Sequence, residues 1–204
     1  MEFTQHTEQK VTFLTAPLLS RPGVRHGFSS RLGGVSQGHL ASMNLRNAAI
    51  SGDDPANVQE NYHRFCAAVG LDVSRAVLSE QVHQDAVRLV TEADAGKGLW
   101  RERDYNADGL ITNIPGLPLF VFSADCIVIL LYDPVKQAVG AVHAGWRGTA
   151  LGITKKAVEA MTAAYGTDPK DLLAAIGPGI GPCCFETYAD VPEALTASMG
   201  AEAR

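Results

Sequence analysis

Hydrophobic spacing along the chain predicts three helices. Residues 54–70 open with Asp-Pro, repeat apolar side chains at helical spacing and close with Gly, which is typical of a capped amphipathic helix with proline in its first turn. The same spacing predicts a helix over 149–165. A third is predicted to start near Asp190, because Asp190 and Glu193 have the spacing of a capping box.

Short runs rich in β-branched and aromatic residues lie between these helices and predict strands. They cover 24–28, 76–78, 87–90, 109–112, 117–123, 127–132, 138–143 and 172–176. The run 127–132 is apolar throughout, as in a strand covered on both faces, although a buried helix has the same pattern. We therefore expect an α/β (α+β) fold: a mixed β-sheet core flanked by helices, in a single domain over 1–204.

Composition and charge narrow the class of protein. The chain has 204 residues, of which 46% are hydrophobic and 19% charged, as in a globular domain. Its net charge of −5 provides no basic field for nucleic acid. No stretch is long and apolar enough for a membrane span or a signal peptide. We expect a cytoplasmic monomer or weak homodimer, with neither nucleic acid nor membrane as a partner, and with Cys66 in the core.

Three segments at predicted strand ends carry metal-binding side chains: Gln81-Val82-His83, Asp125-Cys126, and His143 with the glycine-rich turn behind it. Two histidines and one cysteine form a catalytic zinc set that leaves a fourth position for water or substrate. Their spacing is not that of a zinc finger, so convergence depends on the fold. The same residues fit a hydrolase with Cys126 as nucleophile and His143 as base, or histidines that only support the fold.

Arginine and small polar residues mark a second candidate region. Ser29, Arg31 and a Gly-Gly turn are followed closely by Asn44. Such a loop suits an anion such as phosphate or carboxylate, and a hairpin with a solvated arginine is the alternative. Arg147 follows Trp146 and lies between two glycines, and the same two interpretations apply to it.

Two further segments are rich in turn residues. The stretch 176–182 contains three Gly and two Pro and resembles a pocket wall. It lacks the glycine spacing of a dinucleotide site. Asp108-Gly109 predicts a turn, and Asp108 is a candidate catalytic acid.

Together these segments resemble the YfiH-like laccase-domain family, also called multicopper polyphenol oxidase proteins. The resemblance rests on HGFSSRLGGVS, SMNL, QVH, DGLIT, SADC, HAGWRG and IGPGIGPCCFE, and runs from about Val24 to Glu186. It implies zinc on His83, Cys126 and His143, and a fold shared with some cysteine-dependent bacterial toxins. Family members continue past the position of Arg204, so the chain is expected to lack the family's C-terminal segment.

The resemblance also implies phosphorolysis of adenosine, inosine, guanosine and methylthioadenosine, together with adenosine deamination. Alternatives are a peptidoglycan-precursor editing hydrolase, a copper-dependent phenol oxidase, and a non-catalytic zinc protein whose site Cys183 or Cys184 would close. Six histidines are too few for a four-copper laccase, although Cu²⁺ can occupy a His₂Cys set. We predict catalytic roles for Cys126, Asp125, His143 and Arg147, and contacts with nucleoside or phosphate for Ser29, Arg31, Asn44 and Gln81.

Overall fold

The computed structural model describes residues 2–200. Its strands are β1 (Thr4–Glu8), β2 (Val11–Thr15), β3 (Phe28–Ser29), β4 (Val77–Leu78), β5 (Val87–Leu89), β6 (Gly109–Thr112), β7 (Leu119–Phe120), β8 (Ile127–Asp133), β9 (Ala138–Ala144) and β10 (Leu173–Ile176). Its helices are α1 (Ala48–Ser51), α2 (Pro55–Val69), α3 (Trp146–Ala150), α4 (Ile153–Tyr165) and α5 (Asp190–Met199). None of the helices in this range has the length and apolar character of a membrane span.

Five strands form the central sheet, in the order β10-β8-β9-β6-β5. Neighbours are antiparallel except β5 and β6, so the sheet is mixed, as predicted. Val128 of β8 lies opposite His143 of β9. Gly109 of β6 lies opposite Val142 on the other side of β9. This register places the residues just before β6 and β8 beside the end of β9.

Both faces of the central sheet are covered. Ile129 and Leu131 of β8 pack with Met161 of α4 on one face. Tyr132, from the same strand, packs with Leu19 on the other face. The prediction that the apolar run 127–132 is a strand covered on both faces is therefore confirmed.

Helix α2 forms where its local signals predict it. The side chain of Asp54 accepts a hydrogen bond from the backbone N–H of Ala56, and Gly70 ends the helix with a φ of 80°. Cys66 is only 1% exposed and packs in the same cluster as Phe65. Its predicted place in the core is confirmed.

The N-terminal sheet, in which β2 pairs with β1 and β3, was not predicted. Strand β1 reads TQHTE and is mostly exposed, so it has no apolar alternation. Gln9 and Lys10 form the turn with φ values of 50° and 72°, where two-residue hairpins usually have Asn-Gly. The usual sequence signals for a hairpin are therefore absent.

Several predicted boundaries are wrong. The helix predicted over 149–165 is divided into α3 and α4, because Gly152 adopts a left-handed φ of 75° between them. Helix α5 begins at Asp190, but its N-cap is Ala189 and no side chain caps it, so the capping box is absent. Of the strand predicted over 24–28 only Phe28 pairs with another strand, in β3, which continues to Ser29, and the strand predicted over 117–123 is reduced to the two residues of β7.

Candidate metal centre

Two histidines and one cysteine meet at one edge of the central sheet. His143 lies in β9, Cys126 directly precedes β8, and His83 lies between β4 and β5. Their ligand atoms all lie within 4.8 Å of one another. Within residues 2–200, no other group of three or more His, Cys, Asp or Glu side chains is close enough to hold a metal ion. The predicted convergence of these three side chains is therefore present.

The three side chains differ in exposure. His143 is 2% exposed, Cys126 is half-buried and His83 is exposed. The two imidazole rings stand at 90° to each other, with 4.8 Å between their centroids. The group consequently opens to solvent on the His83 side, where a tetrahedral ion held by three protein ligands would keep its fourth position accessible.

Gly145 provides the space between the three ligands. A Cβ at this position would lie 3.2 Å from Cδ2 of His83, 3.3 Å from Sγ of Cys126 and 3.5 Å from Cε1 of His143. Its φ of −64° is open to any residue, so the glycine supplies room and not an unusual backbone conformation. A His₂Cys donor set around a space of this kind fits a metal ion such as Zn²⁺.

Asp108 lies fully buried behind the two histidines. Its Oδ1 lies 2.8 Å from Nδ1 of His143, within hydrogen-bond distance, and accepts from the backbone N–H of His83 at 3.0 Å. Its Oδ2 accepts from the backbone N–H groups of Val82 at 3.1 Å and Gln84 at 3.0 Å. Both oxygens of Asp108 thus face N–H donors. A catalytic acid needs a proton of its own to donate to substrate, so this role does not fit the Asp108 carboxylate.

Gln81 connects the two loops that carry His83 and Cys126. Its Nε2 donates to the carbonyl of Phe122 at 2.7 Å. Its Oε1 accepts from the backbone N–H of Phe122 at 2.5 Å and from the hydroxyl of Ser79 at 2.8 Å. These bonds use the oxygen and one of the two N–H groups of Nε2, so a substrate contact through the second N–H would leave them in place.

The surroundings of Cys126 do not activate its thiol. Burial raises the pKa of Cys126, and the negative charges of Asp125 and Asp108 raise it further. A thiol nucleophile needs the opposite, a pKa lowered by a nearby positive charge. A bound metal cation would deprotonate a coordinating thiol directly. The convergence of the three ligand atoms and the raised pKa of the thiol together favour Cys126 as a ligand over Cys126 as a nucleophile.

Two predicted substrate residues are hydrogen-bonded to other parts of the chain. Arg31 donates to the carbonyl of Ala41 from Nε at 2.9 Å and from Nη2 at 2.6 Å. The amide of Asn44 donates to Ser51 at 3.1 Å and to Asp53 at 2.8 Å. Hydrogen bonds to the carboxylate, among which the bond from Asn44 has the largest effect, lower the pKa of Asp53 to about 2. The contact of Arg31 fixes the loop internally, and those of Asn44 join it to the segment of Ser51 and Asp53.

A cavity of about 540 Å³ adjoins the loop of Cys126. Its lining includes Ser29, Ser123, Ala124 and Pro178, but none of the three ligands. Ser123 and Ala124 directly precede the exposed Asp125. Ser29 and Pro178, which belongs to the stretch 176–182, thus line one cavity. This cavity reaches the residues just before Asp125 and Cys126.

Two other candidate features lie near the surface. Arg147 is exposed in α3, with its guanidinium 4.2 Å from the ring centre of Trp146. Cys183 and Cys184 are exposed, with 3.1 Å between their sulfur atoms. Neither cysteine belongs to the metal-binding group found in residues 2–200. That group therefore has three protein ligands, and not the four of a closed structural zinc site.

The sequence profile of the family described as "Multi-copper polyphenol oxidoreductase laccase" matches residues 25–204. The chain belongs to this family. Human "Purine nucleoside phosphorylase LACC1" is 36% identical over 187 residues, 91% of this chain and 41% of that protein. "Purine nucleoside phosphorylase" of Deinococcus radiodurans is 40% identical over 187 residues, 91% of this chain and 67% of that protein.

The family also shares the fold. The crystal structure of YlmD from Geobacillus stearothermophilus matches with a TM-score of 0.84 and 34% identity, over 96% of this chain and 71% of that one. The family resemblance and the α/β fold class are thereby confirmed. The chain spans about two fifths of the length of the human relative.

Sequence reasoning missed what Asp108 and Gly145 contribute. Each left a weak signal: Asp108 precedes a predicted strand, and Gly145 follows a strand-end histidine within HAGWRG. Neither signal reveals that β6 pairs with β9, which is what brings Asp108 beside His143.

Proposed function

We propose that this chain forms the catalytic region of a metal-dependent purine nucleoside phosphorylase, with Zn²⁺ held by His83, Cys126 and His143. The main support for the proposal is one observation. The ligand atoms of a catalytic His₂Cys set converge, and the group is open to solvent on the side of His83. The names of the human and Deinococcus relatives support the activity. Zinc is preferred because this donor set is one of its catalytic sites, and Cu²⁺ can occupy the same donors.

Phosphorolysis joins a phosphate oxygen to C1′ of the ribose and breaks the bond from C1′ to N9 of the purine. The electron pair of the broken bond leaves with the base, which takes up a proton. When bound, the metal ion supplies a Lewis acid. The chain itself must hold the phosphate, hold the purine and move the proton.

We assign these tasks to residues of the metal-binding loops, of α3 and of the segment 29–44. Arg31 and Arg147 are proposed to bind phosphate, since both residues are exposed. Asp125 is proposed to move the proton, because it is exposed and directly precedes Cys126. Ser29 would contact the nucleoside from the cavity it lines.

The remaining predicted contacts involve the amides of Asn44 and Gln81. Asn44 would accept from substrate at Oδ1, which already accepts from the N–H of Arg46, and Gln81 would donate the second N–H of Nε2. The expected nucleosides are adenosine, inosine, guanosine and methylthioadenosine. Adenosine deamination is proposed at the same site. In that reaction water replaces the amino group at C6, ammonia leaves, and Asp125 again moves the proton.

Phenol oxidation by a four-copper mechanism is not favoured. It requires a blue copper site and a separate cluster of three coppers. The described residues contain one group of three metal-binding side chains, and the whole sequence has six histidines. Editing of peptidoglycan precursors has no specific support in the geometry.

The decisive experiment is a product assay with inosine and phosphate, using protein of defined metal content. We expect hypoxanthine and ribose 1-phosphate in equal amounts, with turnover that requires phosphate and stops when a chelator removes the metal. Free ribose in place of ribose 1-phosphate would indicate a hydrolase. Failure to cleave any of the four nucleosides would contradict the proposal. Ammonia release from adenosine tests the deaminase activity separately.

A further inference from the structure

Asp108 contacts both histidines of the metal centre without being a ligand itself. We propose that Asp108 is the positioning residue of this centre, and that one buried carboxylate fixes both imidazole ligands by two different means. The inference rests on the proposed metal site, but not on the proposed phosphorolysis.

The first means is a direct hydrogen bond to a ligand ring. A carboxylate oxygen only accepts, so the bond of 2.8 Å between Oδ1 and Nδ1 of His143 places the ring proton on Nδ1. The lone pair of Nε2 is then left for the metal. A carboxylate behind a metal-bound histidine commonly fixes the tautomer and the orientation of the ring in this way.

The second means acts through the backbone. His83 has a φ of 58°, a left-handed conformation that is uncommon for a residue other than glycine. The N–H groups of Val82, His83 and Gln84 all point to the carboxylate of Asp108. Consecutive N–H groups arranged around one anion form a nest. The carboxylate therefore holds the backbone of His83 in the conformation from which its side chain reaches the other ligands.

No other side chain of similar size can accept all four bonds. Asparagine keeps the shape of aspartate but has one acceptor oxygen, and its NH₂ group would face backbone N–H donors. Asp108→Asn therefore changes the bonding with little change in volume. Asp133 offers a matched control, since it is also fully buried in the central sheet and accepts backbone N–H bonds from Val135 and Lys136.

The test compares Asp108→Asn with Asp133→Asn in the full chain. Zn²⁺ affinity is measured by competition with a chelator, and ligand geometry by the absorption spectrum of the Co²⁺-loaded protein. We expect Asp108→Asn to weaken Zn²⁺ binding about 10–100-fold, as is typical for partners of metal ligands, and to lose the intense bands of tetrahedral Co²⁺. We expect Asp133→Asn to keep both properties of the wild type. Equal affinity in wild type and Asp108→Asn would overturn the proposal.

A measurement on the wild type covers the case in which Asp108→Asn fails to fold. Nitrogen-15 NMR of the metal-free protein reports which ring nitrogen of His143 carries the proton. A proton on Nδ1 supports the proposal, and a proton on Nε2 overturns it. Zn²⁺ binding that depends on Asp108, in a protein without phosphorolysis, would contradict the proposed activity and still support the role of Asp108. A wild type that does not bind Zn²⁺ would overturn both the metal site and the inference.

Discussion

The metal centre and the loop of Arg31, residues 29–44, are both built on buried polar side chains, but they use them differently. At the metal centre, Asp108 and Gln81 bind mainly backbone groups. The ligand atoms of His83, Cys126 and His143 are left to converge.

In the loop of Arg31, the candidate residues are themselves part of the scaffold. Asn61 is 0% exposed and bonds to the N–H of Val35 at 2.8 Å, to Ser36 at 2.9 Å and to the carbonyl of Asn44 at 2.9 Å. Arg31 donates from Nε and Nη2 to the carbonyl of Ala41, which leaves Nη1 for a ligand. At the metal centre, supporting and reactive residues are therefore different residues, whereas in the loop of Arg31 the same residues have both roles. Substitution of a supporting residue should therefore affect metal binding in the first region and stability in the second.

Cys126→Ser is expected to have the largest effect, at the metal centre. Serine keeps the shape but is a poor zinc ligand at neutral pH. Zinc affinity and phosphorolysis should each fall by more than about 100-fold, because loss of a ligand should exceed the 10–100-fold typical of its supporting partners. Chelator competition, metal analysis and the product assay check this, with circular dichroism unchanged.

Cys183→Ser is the control, since Cys183 is exposed and lies outside the metal-binding group of residues 2–200. If Cys126→Ser lost activity but kept its zinc, the thiol would be a nucleophile. If it kept both, the site assignment would be wrong.

Asn61→Ala tests the loop of Arg31 and should act on stability. Removing three hydrogen bonds of a fully buried side chain should lower the free energy of unfolding by about 3 kcal/mol, measured by urea denaturation. Zinc stoichiometry should not change. Asn57→Ala is the matched control on α2, because Asn57 is partly exposed and makes one side-chain bond of 3.3 Å. Equal destabilisation by the two variants would contradict the proposed buried scaffold.

Gly145→Ala returns to the metal centre with a smaller change. The added methyl group would lie 3.2–3.5 Å from atoms of all three ligands, so they must move apart slightly. We expect a loss of about 10-fold in Zn²⁺ affinity, the lower end of the range for changes next to a metal site, with little change in unfolding. Gly181→Ala is the control, since its Cβ would meet only Cys183, at 3.6 Å. Unchanged affinity in Gly145→Ala would show that the ligands do not enclose an ion at this point.

Arg31→Ala should have the smallest effect. If the exposed guanidinium binds phosphate, its loss should raise the KM for phosphate about fivefold, close to 1 kcal/mol, and leave the KM for inosine nearly unchanged. Arg101→Ala is matched to it, because Arg101 is also exposed and donates to two backbone carbonyls, those of Ala93 and Ala95. Equal increases for both substrates would indicate general damage to the site.

Local sequence signals account for the parts of the fold that were predicted well. In α2, the cap at Asp54, the apolar spacing and the stop at Gly70 all agree. The N-terminal hairpin failed because β1 is polar and its turn uses Gln9 and Lys10. The division between α3 and α4 depends on Gly152, a single residue inside an otherwise helical pattern.

The candidate site divides in a similar way. The ligand types could be predicted, because the ability to bind a metal ion is a property of the histidine and cysteine side chains themselves, and their positions at strand ends are visible in the sequence. The supporting roles of Asp108 and Gln81 could not, since they depend on partners 35 and 41 residues away in sequence. Strand register sets such contacts, and a single sequence does not reveal it.

The unequal exposure of the two imidazoles bears on how metal would be exchanged. His143 is enclosed and bonded to Asp108, whereas His83 faces solvent. An ion would therefore be expected to enter and leave on the His83 side, so occupancy should follow the supply of metal in the surroundings. Divalent copper generally binds such donors more tightly than zinc. The same three ligands would then hold Zn²⁺ or Cu²⁺ according to which ion the surroundings supply.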